Sequence, residues 1–379
     1  MSDAVTPFTL SIETGALEDL RRRLQTTRWP EQEPVADWSQ GVKRDDLQAL
    51  VAYWQDGYDW RRCEAELNGF GQFRTTIDGL GIHFLHVRSP HEGALPLILS
   101  HGWPGSVLEF RKAIAPLVDP TAHGGRAEDA FHVVVPSLPG YGFSDRPSAT
   151  GWGLGRIAGA WSVLMRRLGY ERFVAGGGDW GSAVTMTMAR QRPAGLLGIH
   201  LTMAVAIPPP DQLGDVTPQE AAALARIKEY NDVGSGYFKQ QSTRPQTIGY
   251  ALADSPVGQA AWIFEKYREW TDCNGDPLSV LTRDEILDTI MLYWLPNTAT
   301  SSARLYWESH SGFGQDPVTL PAAITVFPQE IFRPSRRWAE RVFKDIVHWG
   351  EPARGGHFAA LEAPDLFVPE VRSAFRTLR

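Results

Sequence analysis

The chain has 379 residues, 43% of them hydrophobic and 21% charged, with a formal net charge of -7, a balance that suits a globular protein with one large core and an appended unit. The acidic total argues against nucleic acid, which needs a basic stripe, and the arginines at 21–23 sit on an ordinary helix face. Cys63 and Cys273 are too few for a disulfide framework and lack the paired spacing of a zinc site, so no metal is expected.

In chain order, the opening MSDAVTPFTL has neither a basic start nor an apolar run, so no secretory signal is read and a cytoplasmic location is expected. Leu17, Leu20 and Leu24 recur at helical spacing, as do Leu47, Leu50, Val51 and Trp54, with Asp45 and Asp46 available to cap the second helix. This helical preface, residues 1–72, then gives way to strands. FRTTI and IHFLHV flank Asp78-Gly79, a hairpin signal. Apolar runs follow at 95–99 (LPLIL), 131–135 (FHVVV), 172–175 (RFVA) and 196–201 (LLGIHL), separated by helical patterns such as Ile157, Trp161, Leu164, Met165 and Leu168. Uninterrupted apolar strands alternating with helices imply an α/β fold, a mostly parallel sheet with helices on both faces. The nearly uncharged stretch 196–207 stops at prolines 208–210 and is too short to span a bilayer. Residues 206–305 read as helical, with capping signals at Thr217-Pro218-Gln219-Glu220 and Thr282-Arg283-Asp284-Glu285. Strand-like runs return at 322–327 and 345–349, so the helical block is read as a lid inserted between two parts of the sheet domain, 73–205 and 306–379.

The third apolar run leads into GGDWG at 177–181, which admits three readings. A dinucleotide fingerprint would need an acidic residue about twenty positions on, and there is no Asp or Glu between Ser182 and Pro210. An N-cap role for Asp179 is the bland reading. The third is a nucleophile elbow, small-x-nucleophile-x-small, in which Gly177 and Gly181 let a strained turn thrust residue 179 above the sheet. The nucleophile would then be a carboxylate.

Two other stretches favour the elbow. SHGWPGS at 100–106 follows the first apolar run, where half of an oxyanion hole would be built. Pro104 has no N–H, so Trp103 is the expected backbone donor from this loop, joined by Trp180. Near the C-terminus, DIVHWG leads into a loop carrying His357, and Glu330 lies just past the preceding strand-like run, so that nucleophile, acid and histidine occur in elbow-fold order. Asp345 is the substitute acid. His83, His86, His132, His200 and His348 are read as structural.

Together HGWPGS, PGYGFSD at 139–145, GGDWG, FPQE at 327–330 and RGGHFAALEAP at 354–364 resemble the α/β-hydrolase-fold epoxide hydrolases, in particular the microsomal and juvenile-hormone branch. RWPEQ at 28–32 and YDWRRCEAELNGFGQF at 58–73 are similar to that branch's N-terminal extension. The resemblance spans nearly the whole chain. It implies an α/β-hydrolase fold with a helical lid, no cofactor, a small apolar epoxide and water as partners, and a vicinal diol as product. Because the membrane anchor of the animal enzymes is not read here, a soluble protein is expected; the oligomeric state is left open, with a homodimer as one option. GSGY at 234–237 and SSARLY at 301–306 are similar to the segments bearing the epoxide-binding tyrosines, so Tyr237 and Tyr306 inherit the role of ring-oxygen acids. Asp179 would form an alkyl ester, and water activated by His357, oriented by Glu330, would hydrolyse it. A haloalkane dehalogenase would use the same triad but has no need of an acid pair. A dead hydrolase fold serving as a binding module would be expected to have lost part of the triad, and an esterase is disfavoured by Asp179.

Overall fold

The computed structural model describes residues 3–209, 213–309 and 313–379, so Pro210, the last of the three prolines, lies outside the described residues. The chain opens with a two-residue strand, β1 (Thr6–Pro7), and three amphipathic helices, α1 (Thr14–Gln25), α2 (Arg44–Asp56) and α3 (Trp60–Gly69). Their apolar stripes are buried: Leu20 and Leu24, then Leu47, Leu50, Val51 and Trp54, then Trp60, Cys63 and Leu67. Asp45 and Asp46 do not cap α2. The N-cap is Lys43, and both acids lie in the first turn, where their charge suits the positive end of the helix dipole. The hairpin β2 (Gln72–Ile77) and β3 (Leu80–Val87) follows. Asp78 and Gly79 both take positive φ, 50° and 82°, the twist that a two-residue hairpin turn requires.

The sheet domain continues with β4 (Leu95–Ser100), α4 (Arg111–Val118), β5 (Phe131–Pro136), α5 (Leu154–Arg167), β6 (Phe173–Gly177), α6 (Asp179–Gln191) and β7 (Leu196–Leu201). The lid helices among the described residues come next: α7 (Pro218–Glu229), α8 (Gly236–Thr243), α9 (Pro245–Asp254), α10 (Pro256–Trp270), α11 (Arg283–Trp294) and α12 (Ala299–Ser309). Thr217 and Thr282 each form a full capping box with the glutamate three residues on, Glu220 and Glu285. The helix α12 runs on past residue 305, where the lid is read to end, because its buried face continues through Tyr306 to Ser309. The chain closes with β8 (Ala322–Thr325), α13 (Arg336–Val342), β9 (Ile346–Gly350), α14 (Ala359–Glu362) and α15 (Pro364–Phe375).

Among the described residues nine strands form one sheet, in the order β1-β2-β3-β5-β4-β6-β7-β8-β9. The β1, β2, β3 and β5 pairings are antiparallel, and those from β5 to β9 are parallel. Short apolar strands such as β4 and β6 are buried along their length, as a parallel sheet layered with helices requires. Register does the positioning. Ser100 of β4 pairs with Gly177 of β6, so the loop after β4 and the turn after β6 emerge side by side. At the other end of the parallel array, an isolated bridge pairs Gln329 with Gly356, aligning the loops after β8 and β9.

Candidate active site

The turn after β6 places Asp179 at φ 48°, a left-handed backbone that a non-glycine residue adopts seldom and at a cost. The sharp turn depends on its glycines. A Cβ on Gly181 would overlap the Ser100 carbonyl oxygen, and one on Gly177 would come within 2.5 Å of the Gly181 carbonyl carbon. Gly102 is equally constrained, since a Cβ there would occupy the space of the Asp179 carboxylate. The close approach lets the Trp103 N–H donate to Asp179 Oδ1 at 2.8 Å. The Trp180 amide lies in the first turn of α6, where N–H groups have no helical acceptor.

Across the site, His357 Nε2 lies 3.4 Å from Asp179 Oδ2, and its Nδ1 lies 2.7 Å from Glu330 Oε1. Glu330 is fully buried and also accepts the Ile331 N–H at 2.6 Å. The histidine loop is anchored to the lid, because the His357 N–H donates to the carbonyl of Trp270 at 2.8 Å, at the end of α10. Glu362 adds a second tie by accepting from Asp272 and Phe358 amides. Burial works against a charged imidazole, but the Glu330 and Asp179 carboxylates outweigh it and hold the His357 pKa well above its usual range. Asp345, the substitute acid, is exposed at the foot of β9, and it is Glu330 that meets the histidine.

Two lid tyrosines complete the wall. Tyr237, from the first turn of α8, stacks on the Trp103 indole with centroids 5.0 Å apart. Tyr306, from α12, meets the Trp180 indole edge-on at 4.8 Å. Their own rings are 5.9 Å apart, so each tryptophan that flanks the nucleophile through its backbone also seats one phenol through its side chain. Burial pushes both phenols well above their usual range, which keeps them protonated at neutral pH. The lid is also tied directly to the loop after β4, where the Tyr293 hydroxyl donates to the Gly105 carbonyl at 2.7 Å.

Sequence reasoning passed over three groups here. Glu109, in the short 3-10 turn after the HGWPGS loop, is buried against Gly105 and Gly178, and burial pushes its carboxyl up to about 8. The Tyr230 hydroxyl lies 3.0 Å from that of Tyr237. Lys266, 2% exposed, pairs with Glu265 and Glu269 and faces the Tyr237 ring. The histidines read as structural have structural partners, such as Ser137 and Gln72 for His83 and Thr325 for His200. Among the described residues no cluster of His, Cys, Asp and Glu could hold a metal ion, and no helix is long and apolar enough to cross a membrane.

Two family models match the chain, and they overlap at residues 96–110. Residues 5–110 match a family model described as the epoxide hydrolase N terminus, and residues 96–231 match the alpha/beta hydrolase fold. A Stigmatella aurantiaca protein described by the same family name is 58% identical over 376 residues, covering 99% of this chain and 86% of that one. Epoxide hydrolase 1 of Sus scrofa is 35% identical over 406 residues, 98% of this chain and 88% of the pig protein. Among solved structures, the Aspergillus niger epoxide hydrolase superposes with a TM-score of 0.90 at 32% identity, covering 99% of this chain and 97% of that chain.

Proposed function

This chain belongs to the epoxide hydrolase family, with an α/β-hydrolase fold, and from that premise we propose that it opens a small apolar epoxide through a covalent ester on Asp179. The observation that carries the reading is a carboxylate, not a hydroxyl, at the elbow, in line with His357 and Glu330 and facing two protonated phenols. A carboxylate attacking an acyl carbon would give only a reactive anhydride, but it is a competent nucleophile toward a strained carbon. As Asp179 Oδ2 attacks, the ring oxygen takes the electron pair of the breaking C–O bond and receives a proton from the tyrosine pair, Tyr237 and Tyr306.

Ester formation then changes the histidine. The Asp179 charge that helped hold the His357 proton is gone, so the imidazole moves back toward its ordinary value of about 6.5 and can deprotonate a water. Glu330 keeps the ring oriented, with Nδ1 toward the acid and Nε2 toward the ester. Hydroxide adds to the Asp179 carbonyl carbon, and the oxyanion develops on the aspartate oxygen that the Trp103 N–H already holds, with Trp180 as second donor. Collapse expels the second diol oxygen as an alkoxide, which takes the proton that His357 drew from the water, and the carboxylic acid left on Asp179 returns its proton to His357. The apolar rings of Trp103, Trp180, Phe238 and Trp270 around the phenols favour an apolar substrate and exclude bulk water. We read residues 1–72 as the extension and the block from 206 as the lid, and a dissolved cytoplasmic enzyme as the working form.

Mixing His357→Ala with an aryl epoxide should leave the substrate's mass on the peptide containing residues 177–181, and Asp179→Asn should carry none. An unmodified elbow peptide in His357→Ala, despite measured substrate binding, would remove the ester from the scheme. Assay for diol against chloride with a haloalkane separates epoxide hydrolysis from dehalogenation on the same triad.

A further inference from the structure

The two phenols of the site have unequal surroundings. The Tyr306 hydroxyl is buried and makes no well-aligned hydrogen bond, its polar neighbours being the Tyr237 hydroxyl and the Trp180 side chain on which its ring packs. The Tyr237 hydroxyl is paired with that of Tyr230 at 3.0 Å, and the Lys266 ammonium sits 4.8 Å from its ring centroid. Tyr230 belongs to a π-helical turn, Tyr230–Gly234, that interrupts the path from α7 to α8. Such turns cost hydrogen-bond geometry and recur where a side chain must be aimed at a functional site. Beyond Tyr230 is a cavity of about 480 Å³, lined also by Arg226, Glu229, Arg268, Glu269 and Trp270 and open to the surface beside the exposed Val233. One half-buried phenol thus connects a polar, solvent-facing cavity to the closed site.

Taking the reaction proposed above as given, we propose that Tyr230 is a proton relay, which donates to Tyr237 as Tyr237 donates to the ring oxygen and is itself resupplied from water in this cavity. The reason is the cost of charge. A phenol that has surrendered its proton in a buried apolar wall is a desolvated anion. Burial holds Tyr237 well above the usual phenol range and pushes Tyr230 up to about 12, so neither keeps a negative charge for long at neutral pH. The Tyr230 phenol at 3.0 Å can replace the lost proton and a cation faces the same ring, whereas the Tyr306 hydroxyl has behind it the Trp180 side chain, which has no proton to pass on from solvent. Tyr237 is therefore the phenol that gives up its proton, and Tyr306 holds the ring oxygen by a hydrogen bond.

Protons balance over the cycle. As the C–O bond breaks, its electron pair stays on the ring oxygen, which takes the Tyr237 proton. Tyr237 takes the Tyr230 proton, and Tyr230 takes one from the buffered water of the cavity. One proton enters through Tyr230 per ester formed and one leaves from His357, whose charge the esterified Asp179 no longer holds; hydrolysis then returns Asp179 to its carboxylate and His357 to its charged form, so epoxide plus water gives diol with no net change. The charged and titratable groups facing Tyr230 are Arg226 and Glu229 on α7, Tyr237 on α8, Arg268 and Glu269 on α10, and Asp179 from the elbow.

Rapid mixing with an aryl epoxide in weak buffer, followed by a pH-indicator dye and by the ultraviolet difference band of tyrosinate, tests the relay. With His357→Ala as the background for every variant, because it traps the ester and has no imidazole proton to release, one proton should be taken up per ester in step with alkylation, with little tyrosinate persisting. Tyr230→Phe should alkylate tenfold or more slowly, with a lagging proton uptake and a tyrosinate band that outlives the burst. Tyr306→Phe should slow alkylation while uptake stays in step. If Tyr230→Phe alkylates at the rate of His357→Ala alone with uptake in step and no tyrosinate, the relay is wrong even though the ester forms. If His357→Ala alone forms no ester at all, the underlying reaction fails and the relay goes with it.

Discussion

Glu109 places a third carboxyl beside the Asp179, His357 and Glu330 set. Burial is the main reason its pKa rises to about 8, with the Asp179 and Glu330 charges adding to the rise and His357 opposing it. A fold that binds a proton more tightly than the unfolded chain is favoured by that group below the ordinary carboxylate value of about 4.3, and it loses the contribution as pH climbs through about 8. Glu109→Gln keeps the shape and is neutral throughout. Its unfolding free energy should therefore gain on that of the native protein as pH rises from 5 to 9, by a few kcal/mol at most. Urea titrations of both proteins across that range measure the gap, and a gap that stays flat with pH means the carboxyl is already ionised in the folded enzyme. Glu362, pushed up to about 7 mainly by burial, is common to both proteins and cancels in the difference.

At the level of elements, the site is made where the loop after β4 meets the turn after β6, and glycines set how close they come. The Gly102 backbone has ordinary φ, so alanine is tolerated there by the chain itself; what it meets is the Asp179 carboxylate. Gly102→Ala should push the carboxylate and the Trp103 N–H apart and lower kcat/KM by on the order of 100-fold, the usual cost of one oxyanion donor. The accompanying loss of stability should be smaller, about 1–3 kcal/mol for one extra methyl in a packed site. Steady-state rates set beside thermal melts check both, and unchanged kinetics would mean that the loop yields freely. These loops are also where the sequence was most informative. Glycines, a proline and a lone carboxylate at fixed offsets from an apolar run carry local meaning, so Asp179, His357 and Glu330 can be picked by position, and they meet in space. Glu109, Tyr230 and Lys266 cannot. Glu109 follows in a short turn and the other two sit in or beside lid helices, and their roles come from how these segments pack, which helical periodicity does not encode. That α12 runs through residue 305 without a break has the same origin, since Tyr306 is motif residue and helix-interior residue at once.

Across the whole molecule, one buried carboxylate links the N-terminal helices, the sheet domain and the lid. Asp288 on α11 has no exposed side-chain surface and is held by Arg62 of α3 at 2.7 Å, Arg111 of α4 at 2.6 Å and the Tyr58 hydroxyl at 2.7 Å, while Arg111 also pairs with Glu66. Around this node α1 and α2 pack on α10, and α2 and α3 on α11. Arg23 reaches Asp254, and Arg268 lies over the Trp38 ring at 4.7 Å. The same α10 carries the Trp270 carbonyl that holds His357, and α11 carries the Tyr293 hydroxyl that holds Gly105. The N-terminal helices are therefore tied, through α10 and α11, to the segments that hold His357 and Gly105. Asp288→Ala should leave Arg111, itself only 7% exposed, with one partner in place of two, and cost roughly 3–5 kcal/mol. Arg62→Ala should cost less, because that guanidinium is 39% exposed and its charge is largely screened. Chemical denaturation gives both numbers. If Asp288→Ala unfolds within about 1 kcal/mol of the native protein, the node is not what couples the three parts, and the hold on the lid must come from the apolar faces of α10 and α11 alone.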